Sequence, residues 1–396
     1  MLKRFYVDNF KTLINVEWKP GAVNLLVGPN NAGKTNLCTA LRFLSLTSGR
    51  DLKESAAQVG EVWQLHNVYL SKPTIDFECA VELDINGVTH FFDYSLSLEV
   101  KRTEPFVSNY AVKAENLSVT PLDKEKVELI RNEGGEVRLL HETRYFKGKA
   151  GDDFVATHAP DDATMLSRLF DLETNRLSNV FKKYLYSWTY FSLNPQAIRM
   201  GSAAKPADWI LNVDGSNLAS VLYALKNLSE PEYRMIIDLM KEFEPNLDSI
   251  SFHSPQQDQV FMLFSHGKQR QFSPMAMSEG TLRFLAMAYI IIRSKASMEW
   301  VSFSPLVTIE EPENSLFVGH LRKLFDLLDY TGASGQYLFT TQSPYVIDLF
   351  DKALEDIRVA VRRDNHTELR APEREHLKEL LDEMSLGEIH FRGLLY

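Results

Sequence analysis

Hydrophobic and polar residues alternate with a period of two over IDFECAVELDI (75–85) and again over VTHFFDYSLSLEV (88–100). That pattern predicts two half-buried strands, and Asn86-Gly87 between them predicts a tight hairpin turn. Gly134-Gly135 marks a second hairpin. A helical period takes over elsewhere. Leu166, Leu169, Phe170, Leu177, Val180, Phe181 and Tyr184 share one face of a helix expected over 162–186, and helical patterning resumes from Ser216 to Phe243. Short apolar runs without alternation, at 23–27, 306–309 and 337–339, read as buried strands, each running into glycine, acidic or polar residues. Over 275–294, Ser278 reads as a helix cap, with Leu282, Leu285, Ala286, Tyr289 and Ile290 on a buried face.

Composition changes this picture little. The 396 residues are 44% hydrophobic and 24% charged, ample for packed cores and unlike a disordered chain. A net charge of -10 argues against coating nucleic acid by bulk electrostatics, though not against a local basic groove. Arg131, Arg138, Arg144, Lys147 and Lys149, with Tyr145 and Phe146 between them, are the one candidate for such a groove. Glu133, Glu136, Glu142, Asp152 and Asp153 dilute it, and a solvated hairpin face is the expected reading. Cys38 and Cys79 are too few for a disulfide framework and are expected to be buried thiols in a reducing compartment. The longest apolar run, Phe284–Ile292, is too short to cross a bilayer, and MLKRFYVDNF has no signal core. A soluble, cytoplasmic protein without a membrane partner is expected.

The candidate chemistry begins at the first apolar run. Gly28, Pro29, Asn30, Asn31, Ala32, Gly33, Lys34 and Thr35 follow the spacing G-x-x-x-x-G-K-[ST], the Walker A motif, with Asn36 next. The β-prone run before it and the helical spacing of Leu37, Cys38, Leu41 and Leu44 after it make a strand, a glycine turn and a helix. In that arrangement backbone N–H groups close around phosphates at a helix N-terminus. Lys34 would reach the β- and γ-phosphates and Thr35 would ligate Mg²⁺. LVTIEE (306–311) supplies an apolar strand ending in paired carboxylates, followed by Pro312, Glu313 and Asn314. Glu310 stands where the Mg²⁺ shell is held and Glu311 where a base would orient water. Ser278, Gly280 and the free N–H groups of the helix start form a second anion site, although in isolation they also suit an ordinary capped core helix. Thr340, Thr341, Gln342, Ser343 and Pro344 end the last strand as a polar switch or a plain turn.

The order P-loop, S-E-G-T, I-E-E-P-E-N, T-T-Q-S-P resembles the ABC-type ATPases of the SMC and RecF-like group. It is most similar to stand-alone, OLD-family-like ATPases of the AAA_15/AAA_21 type found in defence systems. FYVDNFKTL (5–13), DGSNLASVL (214–222) and SLGEIHFRGLL (385–395) extend the likeness over nearly the whole chain, more patchily between about 50 and 200. The resemblance implies an α/β ABC-type P-loop ATPase head with an antiparallel β subdomain and a helical lobe. No long coiled coil is expected, because roughly 240 residues from Lys34 to Ser278 carry no sustained heptad. Residues 1–160 would form the first half of the head, 161–250 the helical lobe, and 251–396 the second half.

By the same resemblance, Ser278 and Gly280 close over the γ-phosphate held by a partner copy, so two ATPs glue two heads, and Asn314 and Ser315 cross that interface. Gln196 is the candidate Q-loop ligand of the metal. Glu310 replaces the commoner Asp, Glu279 a Gly or Asp, and Gln342 a histidine that titrates near neutral pH. Slow ATP hydrolysis follows, with the ATP-bound oligomer as the signalling state. Only about 50 residues follow Gln342, so a Toprim nuclease or other toxin is expected on a separate chain. The leading expectation is a sensor and scaffold in anti-phage defence, triggered by DNA or a phage protein. A RecF-like DNA-repair clamp and a nucleotide-gated module with vestigial hydrolysis are the alternatives.

Overall fold

The computed structural model describes residues 1–60, 64–104, 107–143, 154–170, 174–200, 210–253, 259–267, 270–294, 296–298, 301–330 and 335–395. A six-stranded sheet organises it. Its order is Thr189–Phe191, Leu306–Glu310, Gln336–Thr341, Val23–Val27, Ile357–Arg363 and His366–Arg370. The first five strands are parallel and the last is antiparallel. Val23–Val27 therefore lies between the switch strand and a C-terminal strand, buried on both faces. That position explains its unbroken apolar run, since a strand covered on both sides has no solvent-facing positions to fill.

Side chains on each strand alternate between two cores. Leu26, Leu338, Ala360 and Leu306 point into one, together with Leu37, Cys38, Leu41 and Leu44 of helix Lys34–Thr47. Leu25, Val27, Val307, Ile309, Phe339 and Val359 point into the other, against helix Glu279–Ile292. This second helix is buried all round from Gly280 to Ile292, beyond the single face expected. An apolar helix with no polar side belongs at the centre of a molecule, and here it is packed between the sheet and the helices Glu230–Phe243, Pro195–Ile198 and Val318–Tyr330.

The two predicted hairpins form. Thr74–Ile85 pairs antiparallel with Val88–Glu104 through Asn86 and Gly87, both at positive φ (53° and 77°). Val127–Glu133 pairs with Glu136–Leu140 through Gly134 and Gly135. With neighbouring strands they build a ten-stranded sheet over the first core. Cys38 and Cys79 are buried there as free thiols, and burial pushes both thiol pKa values up. No helix among the described residues is long and apolar enough to cross a membrane.

Two helical expectations are corrected. The segment 162–186 holds two helices, Met165–Arg168 and Arg176–Tyr186, because the chain turns extended at Leu169. Phe170 is 80% exposed rather than on the buried face. The segment 216–243 breaks at Ser229 (φ -145°, ψ 75°), where Pro231 opens the second helix.

The basic cluster also divides. Arg144, Tyr145, Phe146, Lys147, Lys149, Asp152 and Asp153 lie outside the described residues. Arg131 pairs with Glu133 at 3.0 Å, and Arg138 lies over the Phe154 ring. Glu142 is no part of a solvated face. It is buried, and its carboxylate accepts from the Ser178 backbone N–H at 3.0 Å and from the Leu177 backbone N–H, capping helix Arg176–Tyr186.

Candidate functional site

The parallel strands bring three motifs level at one edge of the sheet. Thr341 pairs with Val27, immediately before Gly28, and Glu310 pairs with Thr340. The carboxyl ends of parallel strands are where an open α/β sheet leaves a crevice for a ligand. A pocket of about 200 Å³ lies there, lined by Asn30, Asn31, Ala32, Gly33, Lys34, Thr35, Asn36, Glu310, Glu311, Thr340 and Gln342.

The P-loop is held from both ends of the chain. Gly28 (φ 150°) and Gly33 (φ 99°) adopt conformations that favour glycine, and space forbids a side chain as well. A Cβ on Gly28 would lie 2.4 Å from the Ala360 carbonyl oxygen, and one on Gly33 would lie 2.1 Å from Thr367 Oγ1. Thr367 Oγ1 is 2.7 Å from Thr12 Oγ1, and Asn36 Nδ2 donates to the same Thr12 oxygen at 2.7 Å. The N-F-K-T-L turn and the C-terminal hairpin thus pin the loop. Lys34 folds back, its ammonium donating to the Gly28 and Pro29 carbonyls at 2.7 and 3.0 Å. Burial lowers the Lys34 pKa, while Glu311, Glu310 and Glu313 oppose that shift.

The acidic edge carries distinct contacts at each carboxylate. Tyr190 donates to Glu310 Oε2 at 2.8 Å, and Glu310 Oε1 is buried with no protein partner. A buried carboxylate oxygen left open in a phosphate-sized pocket suits a cation, and Thr35 lines the same pocket. Among the described residues no group of three His, Cys, Asp or Glu is arranged to hold a metal alone. A Mg²⁺ here would share its coordination with phosphate oxygens. Glu311 stands at positive φ (43°), an unusual backbone for this residue. Gln342 Nε2 donates to Glu311 Oε1 at 2.8 Å and Asn314 Nδ2 to Oε2 at 2.7 Å. Gln342, expected at the position of a γ-phosphate switch, lines the pocket with its amide on the Glu311 carboxylate. Glu313, unassigned by sequence, is largely buried beside Thr341, and burial raises its pKa.

Ser278 and Gly280 do not line this pocket. Ser278 caps its helix, accepting from the Thr281 N–H at 3.0 Å. Gly280 lies so close to the loop after Glu313 that a Cβ would come 2.4 Å from the Ser315 carbonyl oxygen. Gln196 is not brought to the pocket either. Its Nε2 donates to Glu279 at 3.1 Å, beside Arg199 and Ser315 Oγ, so it lies with the start of helix Glu279–Ile292. His390, from helix Leu386–Phe391, is set near Gln342 and Lys34, and burial lowers its pKa. Sequence reasoning missed Tyr190, Glu313, Arg199 and His390. Glu313 and His390 lay within segments already singled out, I-E-E-P-E-N and SLGEIHFRGLL, but without a role of their own.

A glycine-rich loop, two adjacent carboxylates and a polar strand end meet on one edge of a parallel sheet, the arrangement of a P-loop ATPase fold. The chain belongs to the family described as "AAA domain, putative AbiEii toxin, Type IV TA system", whose model matches residues 23–348. Among solved structures it is similar in fold to an SMC head bound to the C-winged helix domain of ScpA (TM-score 0.54, 11% identity, 96% of this chain and 99% of that one). The SMC head domain from Thermotoga maritima also matches, at TM-score 0.45 and 14% identity over 94% of this chain and 99% of that one. No curated protein matches.

Proposed function

We propose that this chain binds ATP with Mg²⁺ at the P-loop pocket and hydrolyses it slowly once a second copy caps the γ-phosphate with Ser278 and Gly280. The observation that carries the reading is the composition of the pocket. It holds Walker A, both acids and the switch, and lacks Ser278 and Gly280. A cradle without its cap suits a site completed by another subunit.

In this mechanism Lys34 leaves the Gly28 and Pro29 carbonyls to meet the phosphates, and the loop N–H groups bind their oxygens. Thr35 and Glu310 Oε1 would hold Mg²⁺, which supplies positive charge against the phosphates. Glu311 accepts the proton of the attacking water, with Gln342 and Asn314 orienting its carboxylate. Gln342 cannot take up a proton near neutral pH, which supports slow turnover and a long-lived ATP-bound assembly. We take that assembly as sensor and scaffold for a separate effector, a nuclease or toxin, in anti-phage defence. The toxin and type IV toxin–antitoxin wording of the family description supports this context.

Glu311→Gln tests the core of the reading. With ATP and Mg²⁺ the variant should accumulate as a dimer or larger species by light scattering, and return to the smaller species when ATP is removed. An unchanged mass with ATP would overturn the sandwich. The engagement of Glu311 by Gln342 also supports a second reading, a nucleotide-gated module with vestigial hydrolysis. Wild-type phosphate release no faster than that of Glu311→Gln would favour it.

A further inference from the structure

A cavity of about 470 Å³ shares no lining residue with the P-loop pocket. It wraps the open edge of the parallel sheet at Thr189–Phe191, between helix Lys34–Thr47 and the end of helix Glu279–Ile292. Three arginines reach it. Arg50 pairs with Glu54 and Arg293 with Glu232 at 2.8 Å. Arg42 has no carboxylate within ion-pair distance among the described residues. Its guanidinium lies 5.3 Å from the centre of the Tyr190 ring. Burial lowers the Arg42 pKa, as expected of a half-buried cation without a counter-charge.

Tyr186, Trp188 and Tyr289 face the same space, with polar Ser45, Gln58, Ser187, Thr189, Asn212 and Ser294 in the wall beside them. An uncompensated guanidinium among rings selects a ligand with one negative group and one flat face. We infer that this cavity binds a small planar anion of the nucleoside monophosphate kind, with its charged group on Arg42 and its ring among the aromatic side chains. The ligand also has a route to the ATPase edge. Tyr190, which carries Arg42 on its face, donates its hydroxyl to Glu310. An anion that draws Arg42 off this ring frees Tyr190 to move, and with it the Glu310 carboxylate. This coupling rests on the proposed ATPase reading; the binding itself does not.

The test separates the two. Lys34→Ala protein, with its P-loop disabled, is titrated with AMP, GMP, CMP and UMP, and binding is followed by Trp188 fluorescence against a Trp188→Phe control. Saturable quenching by at least one monophosphate is expected, at one ligand per chain. Adding Arg42→Gln should weaken it about tenfold to a hundredfold, the worth of a charge-assisted hydrogen bond. Ile210→Glu, at an exposed wall position, should weaken it as well by placing a like charge at the mouth. Absence of quenching by all four, or affinity unchanged in both variants, overturns the site. In wild-type protein the bound monophosphate should alter ATP turnover, and Tyr190→Phe should remove that effect while keeping the binding. Binding without any ATP turnover would sink the ATPase reading and spare the site; turnover without monophosphate binding would do the reverse.

Discussion

Gly280 was singled out by sequence for an anion, yet its nearest constraint is protein. A Cβ there would stand 2.4 Å from the backbone oxygen of Ser315, and neither backbone can yield cheaply. Gly280→Ala should therefore destabilise the nucleotide-free protein by about 2 kcal/mol, as overpacking does, measured by urea unfolding. A variant as stable as wild type would mean that the loop after Glu313 gives way freely. Lys34 offers the complementary case. Its ammonium has two carbonyl acceptors in the nucleotide-free protein, so its removal leaves them unpaired and should cost about 1 kcal/mol of fold stability in addition to its effect on nucleotide binding.

At the scale of elements, two buried glutamates cap helix starts from a distance, Glu115 beside the local cap Thr164 and Glu142 where Asn175 supplies none. Glu115 Oε1 accepts from Tyr94 Oη at 3.0 Å and the Leu166 N–H at 3.1 Å, and Oε2 from the Met165 N–H at 2.5 Å, at the start of helix Met165–Arg168. Burial pushes its pKa from 4.5 up to about 7, against the hydrogen bonds that favour the charged form. A raised folded pKa means that the folded state keeps a proton the unfolded state releases. Its contribution is present in full below pH 4.5 and is lost as pH rises to 7. The stability difference between wild type and Glu115→Gln should shift against wild type by on the order of 3 kcal/mol over that window, measured by denaturant unfolding at pH 5 and pH 8. A difference independent of pH would show that Glu115 titrates normally. Glu142 is shifted in the same direction at the neighbouring helix.

For the whole molecule, the sheet carries the loop, the acids and the switch on strands far apart in sequence. A ligand that binds only this folded arrangement stabilises it by about 2.7 kcal/mol at a hundredfold excess over its Kd. ATP with Mg²⁺ should therefore raise the melting temperature of wild type by several degrees, and Lys34→Ala should abolish the rise. A melting point unmoved by ATP in wild type would contradict nucleotide binding at this edge.

What the sequence determined by itself was everything that short-range periodicity and turn chemistry encode. The strand, glycine turn and helix around Lys34 form as read, as do the hairpins at Asn86-Gly87 and Gly134-Gly135 and the strands ending at Glu310 and Thr341. Each depends on residues within a few positions of one another. Tertiary structure alone decided which ends meet. It placed Val23–Val27 beside Ile357–Arg363, set Tyr190 on Glu310, and aimed Gln342 at Glu311. It also buried Glu115 and Glu142, which composition alone assigns to solvent. Such contacts join residues tens to hundreds of positions apart. Their energies come from burial and from partners that exist only once the sheet has assembled, so no local pattern records them.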